Sequence, residues 1–191
     1  MERRDLLKMI VAATGAAMIG LPVLGQAQAP TAAAKNTFSA ADVGTLDEIA
    51  DTILPKTRTP GAKDAATGAF MAQFVTDCYT DRQQATFRAG LAEIDERAGG
   101  RFVSLTPQAR TELLRTLDAE ARKRAVEVGD TGTADGTRAM PHYFTMIKQL
   151  AIFGFFTSKV GATEVLQYVA VPGRYDGDLA YVPGTPAWGT S

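Results

Sequence analysis

The sequence predicts an all-α protein, a compact bundle of about five helices followed by an extended C-terminal tail. Apolar residues recur at spacings of three and four in most of the chain between residues 39 and 156. Helix start and stop signals bound these periodic stretches, and no segment shows the alternation of a convincing strand. Beyond an N-terminal leader, about 160 residues remain, the length of a single domain.

The first predicted helix begins at Ser39, with an acid, Asp42, three residues further on, as in a capping box. Its apolar face consists of Val43, Leu46, Ala50, Ile53 and Leu54. Pro55 ends the helix, because proline cannot donate the next backbone hydrogen bond. Residues 56–66 are predicted to be a loop, with Pro60-Gly61 as its turn.

The second helix is expected over about residues 68–79, with Phe70, Phe74 and Cys78 pointing inward. Cys78 is the only cysteine, so no internal disulfide is possible. We expect a buried, inert thiol, with a bridge to a partner chain as the alternative. The third helix covers about residues 82–98 and ends at a Gly99-Gly100 stop. Its apolar positions are Phe87, Leu91, Ile94 and Ala98.

The fourth helix has the clearest start, with Thr106 as N-cap and Pro107 in the first helical position. Its stripe consists of Leu113, Leu114, Leu117, Ala121 and Val128, and its acid–base pairs are Asp118–Arg122 and Glu120–Arg124. A polar glycine loop follows over residues 129–137.

Pro141 opens a fifth helix that is apolar almost all round. Its apolar residues include Tyr143, Phe144, Met146, Ile147, Leu150, Ile152, Phe153, Phe155 and Phe156. Such a helix is buried on nearly all sides, either as the centre of the bundle or with part of its surface covered by another chain. A short helical turn near residues 162–166 precedes a tail that is extended or looped from Tyr168 onward.

The N-terminus reads as a twin-arginine export signal over residues 1–29. Arg3 and Arg4 lie in a charged segment, residues 9–24 are moderately apolar, and small residues follow. The apolar segment is shorter than the roughly 20 residues that span a bilayer. An ordinary signal peptide or an N-terminal anchor is the alternative. Cleavage is expected after Ala27, with Ala29 as the second choice. Residues 30–38 are a linker, and residues 39–191 form the helical domain.

The charge balance argues against a nucleic-acid partner. The chain has 20 basic and 21 acidic residues, and 17 and 19 remain without the charged residues of the leader. Binding to nucleic acid requires a basic stripe, which a near-neutral domain does not supply.

The motif search gives no cofactor or metal site in this chain. Dinucleotide, phosphate-loop, haem-attachment and serine-hydrolase motifs do not occur, and one cysteine cannot hold an iron–sulfur cluster. His142 is expected to be a satisfied histidine at a helix start, because a catalytic histidine needs an orienting partner. Asp47 and Asp51 are expected on a solvated helix face rather than in acid–base catalysis. The loop over residues 130–136 lacks the acidic ligands of a calcium loop.

Two segments carry a family resemblance. The first is Ala50-Asp51-Thr52-Ile53-Leu54-Pro55 with Thr59-Pro60-Gly61-Ala62-Lys63-Asp64; the second is Phe155-Phe156-Thr157-Ser158-Lys159-Val160-Gly161, then Tyr168, then Val171-Pro172-Gly173-Arg174-Tyr175. In this order, and after a twin-arginine leader, they resemble the gluconate 2-dehydrogenase subunit 3 family over about residues 40–177.

The resemblance implies a small, non-catalytic subunit of a periplasmic sugar or sugar-acid dehydrogenase complex, a complex that can be attached to the inner membrane. In such complexes a large flavoprotein of the glucose–methanol–choline type holds FAD and oxidises the substrate, and a c-type cytochrome with haem c passes the electrons on. The small subunit supplies the export signal and supports maturation of the flavoprotein. Related small subunits accompany glucoside 3-dehydrogenases, so gluconate and glucosides both remain possible substrates.

The partner interface is expected on the Pro-Gly turns and on the aromatic tail. Such turns lose little entropy on docking, and tyrosines bring apolar area with a polar tip. The candidate interface residues are Pro60, Gly61, Thr157, Ser158, Gly161, Tyr168, Pro172, Gly173, Tyr175, Tyr181 and Trp188. The alternative is that the tail completes the bundle's own core. The rival functions are a self-sufficient enzyme with a site near His142 and Ser158, and a periplasmic binding module.

Overall fold

The computed structural model describes residues 38–128, 140–171, 173, 177–178, 180 and 182–189. In these ranges the chain forms five α-helices and no strand, which confirms the predicted all-α class. The helices are α1 (Ala40–Ile53), α2 (Thr67–Cys78), α3 (Asp81–Arg97), α4 (Pro107–Val128) and α5 (Tyr143–Phe156). Short 3-10 turns occur at Ala62–Ala65 and Phe102–Ser104, and a wider turn at Gly161–Val165.

The helix starts follow the local sequence. Ser39 caps α1 and exchanges hydrogen bonds with Asp42, as the capping box predicted. Thr80 and Gln83 form the same arrangement at α3, a start that lies one residue before the predicted one. Thr106 Oγ1 accepts a hydrogen bond from the Ala109 amide at the start of α4. The ends agree as well, because Gly99 adopts the positive φ of 69° that favours glycine after a helix.

Helix α5 is the centre of the bundle and packs against each of the other four helices. This position explains its apolar composition, since contact on most sides leaves little of it to water. Only Ile152 and Phe153 remain exposed among its large apolar residues. The core around α5 consists mainly of Leu46, Ile49, Met71, Val75, Phe87, Ile94, Leu117, Phe144 and Ile147.

The predicted inward face of α2 is wrong at Cys78, which is exposed, and holds in part for Phe70 and Phe74, which pack against the core. Phe70 and Phe74 are half-buried, and the buried residues of this helix are Thr67, Gly68, Met71, Ala72 and Val75. Gly68 lets α2 approach α1 closely, because a Cβ atom there would lie 2.6 Å from the Asp47 backbone nitrogen. Phe70 and Phe74 lie on the neighbouring stripe and pack against the edge of the core.

The prediction that Asp47 and Asp51 lie on a solvated face of α1 is also wrong. Asp47 is half-buried, and its Oδ1 accepts a hydrogen bond of 2.8 Å from the Gly68 amide at the start of α2. Ala66, the residue before α2, provides no side-chain cap, so Asp47 supplies one from the neighbouring helix. Asp51 lies at 4.0 Å from Lys63 Nζ. These carboxylates therefore join α1 to the segments that follow it.

Glu48, between these two aspartates in sequence, fastens α1 to α4. Its carboxylate forms ion pairs with Arg110 of α4 and with Lys63 of the first 3-10 turn. Arg101 adds a second connection, because its Nη2 donates to the Ala41 carbonyl at 2.8 Å and to Thr45 Oγ1 at 3.0 Å. The predicted loop over residues 56–66 therefore contains a 3-10 turn, and the Lys63–Glu48 ion pair joins this turn to α1.

Candidate functional site

The Pro60-Gly61 turn is built into the fold. Gly61 is buried, and a Cβ atom there would lie 2.5 Å from the Lys56 backbone nitrogen. The Gly61 amide donates to Asp64 Oδ2 at 2.9 Å. This bond, together with Lys56, lowers the pKa of the Asp64 carboxyl. Residues 56–59 of this loop are exposed and Pro60 is half-buried, and Lys63, Asp64 and Ala66 are exposed as well.

The segment from Thr157 to Gly161 closes the end of α5. Thr157 Oγ1 donates to the Phe153 carbonyl at 2.7 Å. Ser158 Oγ donates to the Phe155 carbonyl at 2.6 Å and accepts from the Gly161 amide at 2.9 Å. Gly161 is buried, and a Cβ atom on it would lie 2.0 Å from the Phe155 oxygen. The hydroxyls and the glycine therefore have structural roles at the helix end.

The tail folds back on itself at Gln167. The Gln167 amide donates to the Ala187 carbonyl at 2.8 Å, and the Gly189 amide donates to the Gln167 carbonyl at 2.7 Å. The Gln167 side chain donates to the Pro186 carbonyl at 2.7 Å. Tyr168 and Trp188, beside this closure, are each about half exposed, at 47% and 51%. The hydrogen-bonded contact between Gln167 and residues 186–189 thus leaves the side chains of Tyr168 and Trp188 accessible to solvent.

Of the remaining predicted interface and signal residues, only Gly173 belongs to the part of the chain that the structure describes, and it is exposed. Pro172, Tyr175, Tyr181, Arg3 and Arg4 lie outside the described residues, as does the loop over residues 130–136.

The structure brings together a cluster that the sequence reasoning missed. The rings of Phe70, Phe74 and Phe153 lie in mutual contact, with centroid distances of 5.7–6.0 Å. Phe153 is 48% exposed and its neighbour Ile152 is 37% exposed. We call these four residues the aromatic face. The signal that could have found it is the second apolar stripe on α2, which runs beside the buried one.

His142 and Ser158 do not form a common site. His142 precedes the first residue of α5 and Ser158 follows its last residue by two. With a rise of about 1.5 Å per residue, the two ends of this helix are roughly 20 Å apart. His142 Nδ1 accepts a hydrogen bond from the Phe144 amide at 3.2 Å. This bond confirms the prediction that His142 is a hydrogen-bonded residue at a helix start.

Around His142 the structure places charged and aromatic groups. Burial lowers the pKa of His142, although the Glu120 and Glu93 carboxylates oppose this shift. Burial also raises the pKa of the Tyr143 hydroxyl, with a further contribution from Glu93. Arg97 forms ion pairs of 2.7 Å with Glu93 and 2.8 Å with Glu120. These carboxylates are paired with an arginine, so the cluster has the composition of a structural charge network.

A comparison with protein families shows to which family this chain is related. The family model described as gluconate 2-dehydrogenase subunit 3 matches residues 40–173. The chain belongs to this family. A search of the curated proteins and a search of the solved structures each returned no match.

Membership of the gluconate 2-dehydrogenase subunit 3 family makes the chain a subunit of a dehydrogenase complex. The matched region contains all five helices and the aromatic face, and it ends before Tyr175, Tyr181 and Trp188. Half of the six predicted interface residues in the tail therefore lie beyond the part of this chain that the family model covers.

The part of this subunit that the structure describes was also compared with the requirements of a metal site and of a membrane-spanning helix. No group of three or more histidine, cysteine or acidic side chains in those residues is arranged to hold a metal ion. None of the described helices combines the length and the apolar character that crossing a membrane requires.

Proposed function

We propose that this chain is the non-catalytic small subunit of a periplasmic FAD-dependent sugar or sugar-acid dehydrogenase. In this proposal it carries the export signal for the complex and supports assembly and stability of the catalytic flavoprotein. The observation that carries the proposal is the family match over residues 40–173, since that family is named for a subunit of gluconate 2-dehydrogenase.

The leader supports the export role. The paired Arg3-Arg4, the moderately apolar segment over residues 9–24 and the small residues after it form the pattern of a twin-arginine signal. That pathway carries folded proteins, so one signal is sufficient for a pre-assembled complex. A flavoprotein that lacks a signal would reach the periplasm bound to this chain.

The proposed partners follow from the family resemblance. The large subunit is a glucose–methanol–choline-type flavoprotein that holds FAD and oxidises an alcohol of gluconate, glucose or a glucoside. A c-type cytochrome subunit with haem c accepts the electrons and can link the complex to the inner membrane. The exposed Tyr168 and Trp188 beside the tail closure support a docking role, because half-exposed aromatic side chains are enriched at interfaces.

The export test uses co-expression of the full chain with a glucose–methanol–choline-type flavoprotein from the same genome. The matched variant replaces Arg3 and Arg4 with lysine, which keeps the charge and removes the arginine pair. We expect periplasmic, flavin-loaded partner with the unaltered chain and cytoplasmic partner with the lysine variant. A partner that reaches the periplasm equally well with both, or in the absence of this chain, would contradict the escort role.

The catalytic assignment has its own test. The purified chain alone is mixed with gluconate, glucose or a methyl glucoside and an artificial electron acceptor. We expect no turnover until the flavoprotein is added. Oxidation of any of these sugars by the isolated chain would instead favour a self-sufficient enzyme.

A further inference from the structure

A cleft lies where the start of α3, the end of α4 and the start of α5 meet. Its volume is about 440 Å³. Volumes of roughly 300–1,000 Å³ are usual for sites that bind small molecules. Most of its lining is polar or aromatic and consists of Arg82, Thr86, Glu93, Arg124, His142 and Tyr143. We call it the arginine cleft.

The arginine cleft contains two guanidinium groups that no carboxylate pairs in the described part of the chain. The sequence spacing pairs Glu120 with Arg124, but Glu120 lies 2.8 Å from Arg97 Nη1 instead. Glu93 is also held by Arg97, at 2.7 Å. Within the described residues, the side chains of Arg82 and Arg124 therefore have neither an ion pair nor a hydrogen bond. Their donors are available to a ligand.

Two further donors belong to residues of the same cleft. His142 Nδ1 accepts a hydrogen bond from the Phe144 amide, so the proton of the uncharged ring lies on Nε2. The Tyr143 hydroxyl is buried and forms no hydrogen bond within the described residues. Burial and the nearby Glu93 carboxylate raise its pKa, so it keeps its proton and remains a donor. Since buried polar groups in proteins almost always have partners, an unpaired hydroxyl beside a cleft indicates a ligand.

We propose that the arginine cleft binds a small organic acid through its carboxylate group. Guanidinium groups suit this ligand, because their planar donors match the two oxygens of a carboxylate. The proposal concerns a binding site of the isolated chain, and it does not depend on the proposed function in a dehydrogenase complex.

The local charge balance favours a ligand with a single negative charge. The charged side chains that line the cleft or act electrostatically on His142 are three arginines and two glutamates, namely Arg82, Arg97, Arg124, Glu93 and Glu120. With an uncharged imidazole, one positive charge is left without a counter-charge. A monocarboxylate neutralises this charge, whereas a dianion would leave an excess of negative charge beside the two glutamates.

His142 provides a direct readout of binding, because it lines the cleft and is the only histidine of the chain. The full chain with isotope-labelled histidine is titrated by NMR at neutral pH, with sodium chloride keeping the ionic strength constant. Lactate is the probe, lactamide is its uncharged counterpart of nearly the same shape, and sulfate is the dianion. We expect lactate to shift the ring signals of His142 saturably, lactamide to leave them unchanged, and sulfate to bind more weakly than lactate.

Arginine variants test whether the cleft itself holds the anion. Arg124→Gln and Arg82→Gln each remove one guanidinium from an exposed residue of the cleft. Arg122→Gln is the matched control, because Arg122 is a 75%-exposed arginine of the same helix as Arg124 and pairs with Asp118 outside the cleft. We expect Arg124→Gln to weaken lactate binding about tenfold, as the loss of a charged hydrogen-bond partner does. Arg82→Gln should also weaken it, and Arg122→Gln should bind like the unaltered chain.

Thermal melting of each variant establishes that it is folded, and the two cleft variants serve as independent tests. The proposal is overturned if lactate gives no saturable shift, or if lactamide gives the same shift. It is also overturned if sulfate binds more tightly than lactate, or if the folded Arg124→Gln and Arg82→Gln forms bind lactate as tightly as Arg122→Gln. None of these measurements includes the flavoprotein, so their failure leaves the proposed function unaffected.

Discussion

The backbone of Gly90 in α3 lies directly against the buried Tyr143 side chain of α5. A Cβ atom on residue 90 would stand 2.3 Å from Tyr143 Cγ and 2.5 Å from Tyr143 Cβ. Because these atoms are close to the α5 backbone, the tyrosine cannot rotate away as the far end of a long side chain could. The contact between α3 and the central helix therefore depends on the missing side chain at residue 90.

The first prediction concerns this contact. Gly90→Ala should lower the free energy of unfolding by about 1–3 kcal/mol, because overpacking outweighs the gain in helix propensity. Gly44→Ala is the matched control, since Gly44 lies within α1 and nothing is within 4 Å of its Cβ position. It should raise stability by about 0.5–1 kcal/mol. Urea unfolding measures both, and a stabilised Gly90→Ala would contradict the close contact.

The second prediction concerns Glu48, whose side chain is only 20% exposed beside an Arg110 that is 17% exposed. Glu48→Ala leaves Arg110 and Lys63 without this carboxylate, so we expect a loss of about 2 kcal/mol, between the values of buried and exposed pairs. Glu112→Ala is the control, because the Glu112–Arg115 pair is 73% exposed on both sides. Its cost should stay below about 0.5 kcal/mol in the same denaturation experiment. Equal losses in the two variants would argue against a special role for Glu48.

The third prediction is a pH dependence at His142. Because burial lowers its pKa below 6.5, the unfolded chain binds more protons than the folded chain just below that pH. Its contribution to stability is therefore complete above pH 6.5 and is lost as the pH falls toward the folded-state pKa. Protonation also removes the Nδ1 acceptor that holds the Phe144 amide.

The measurement is an NMR titration of the imidazole, which needs no assignment because His142 is the only histidine. His142→Asn is the control, since asparagine can cap the helix without titrating. It should keep stability at pH 7 and lose the dependence just below pH 6.5. A pKa above 6.5 in the folded chain would refute the prediction.

The fourth prediction concerns the cap that α1 provides for α2. Asp47→Ala removes the acceptor of the Gly68 amide and should cost about 1 kcal/mol, the value of a lost N-cap. Asp47→Asn keeps an acceptor oxygen and should retain most of the stability. Amide hydrogen exchange at Gly68 provides the local readout. Unchanged exchange in Asp47→Ala would mean that another group caps α2.

The helix boundaries were predictable because the groups that set them are neighbours in the chain. Ser39 with Asp42, Thr106 with Pro107 and the glycine at residue 99 act within three or four residues of the helix end they define. His142 is a further example, since its ring reaches the amide two residues away. Interactions of this kind need no knowledge of the tertiary arrangement.

The buried side of α2 was not predictable in this way. The helix has two adjacent apolar stripes, one with Gly68, Ala72 and Val75 and one with Phe70 and Phe74, and hydrophobicity alone favours the larger rings. The close approach of α1 selects the stripe with small residues, since Asp47 already fills the space where a side chain on residue 68 would be. The aromatic face results from that selection.

The amino-acid sequence by itself determined the helical class, the helix ends and the family, because these depend on local spacing and on motifs within single segments. Only the tertiary structure decided which apolar residues are covered and which charges are paired. The Glu48–Arg110 pair joins residues 62 positions apart, and the Phe70–Phe153 contact joins two helices from opposite halves of the domain. Such contacts depend on how closely backbones approach one another, and steric fit between distant segments sets that distance.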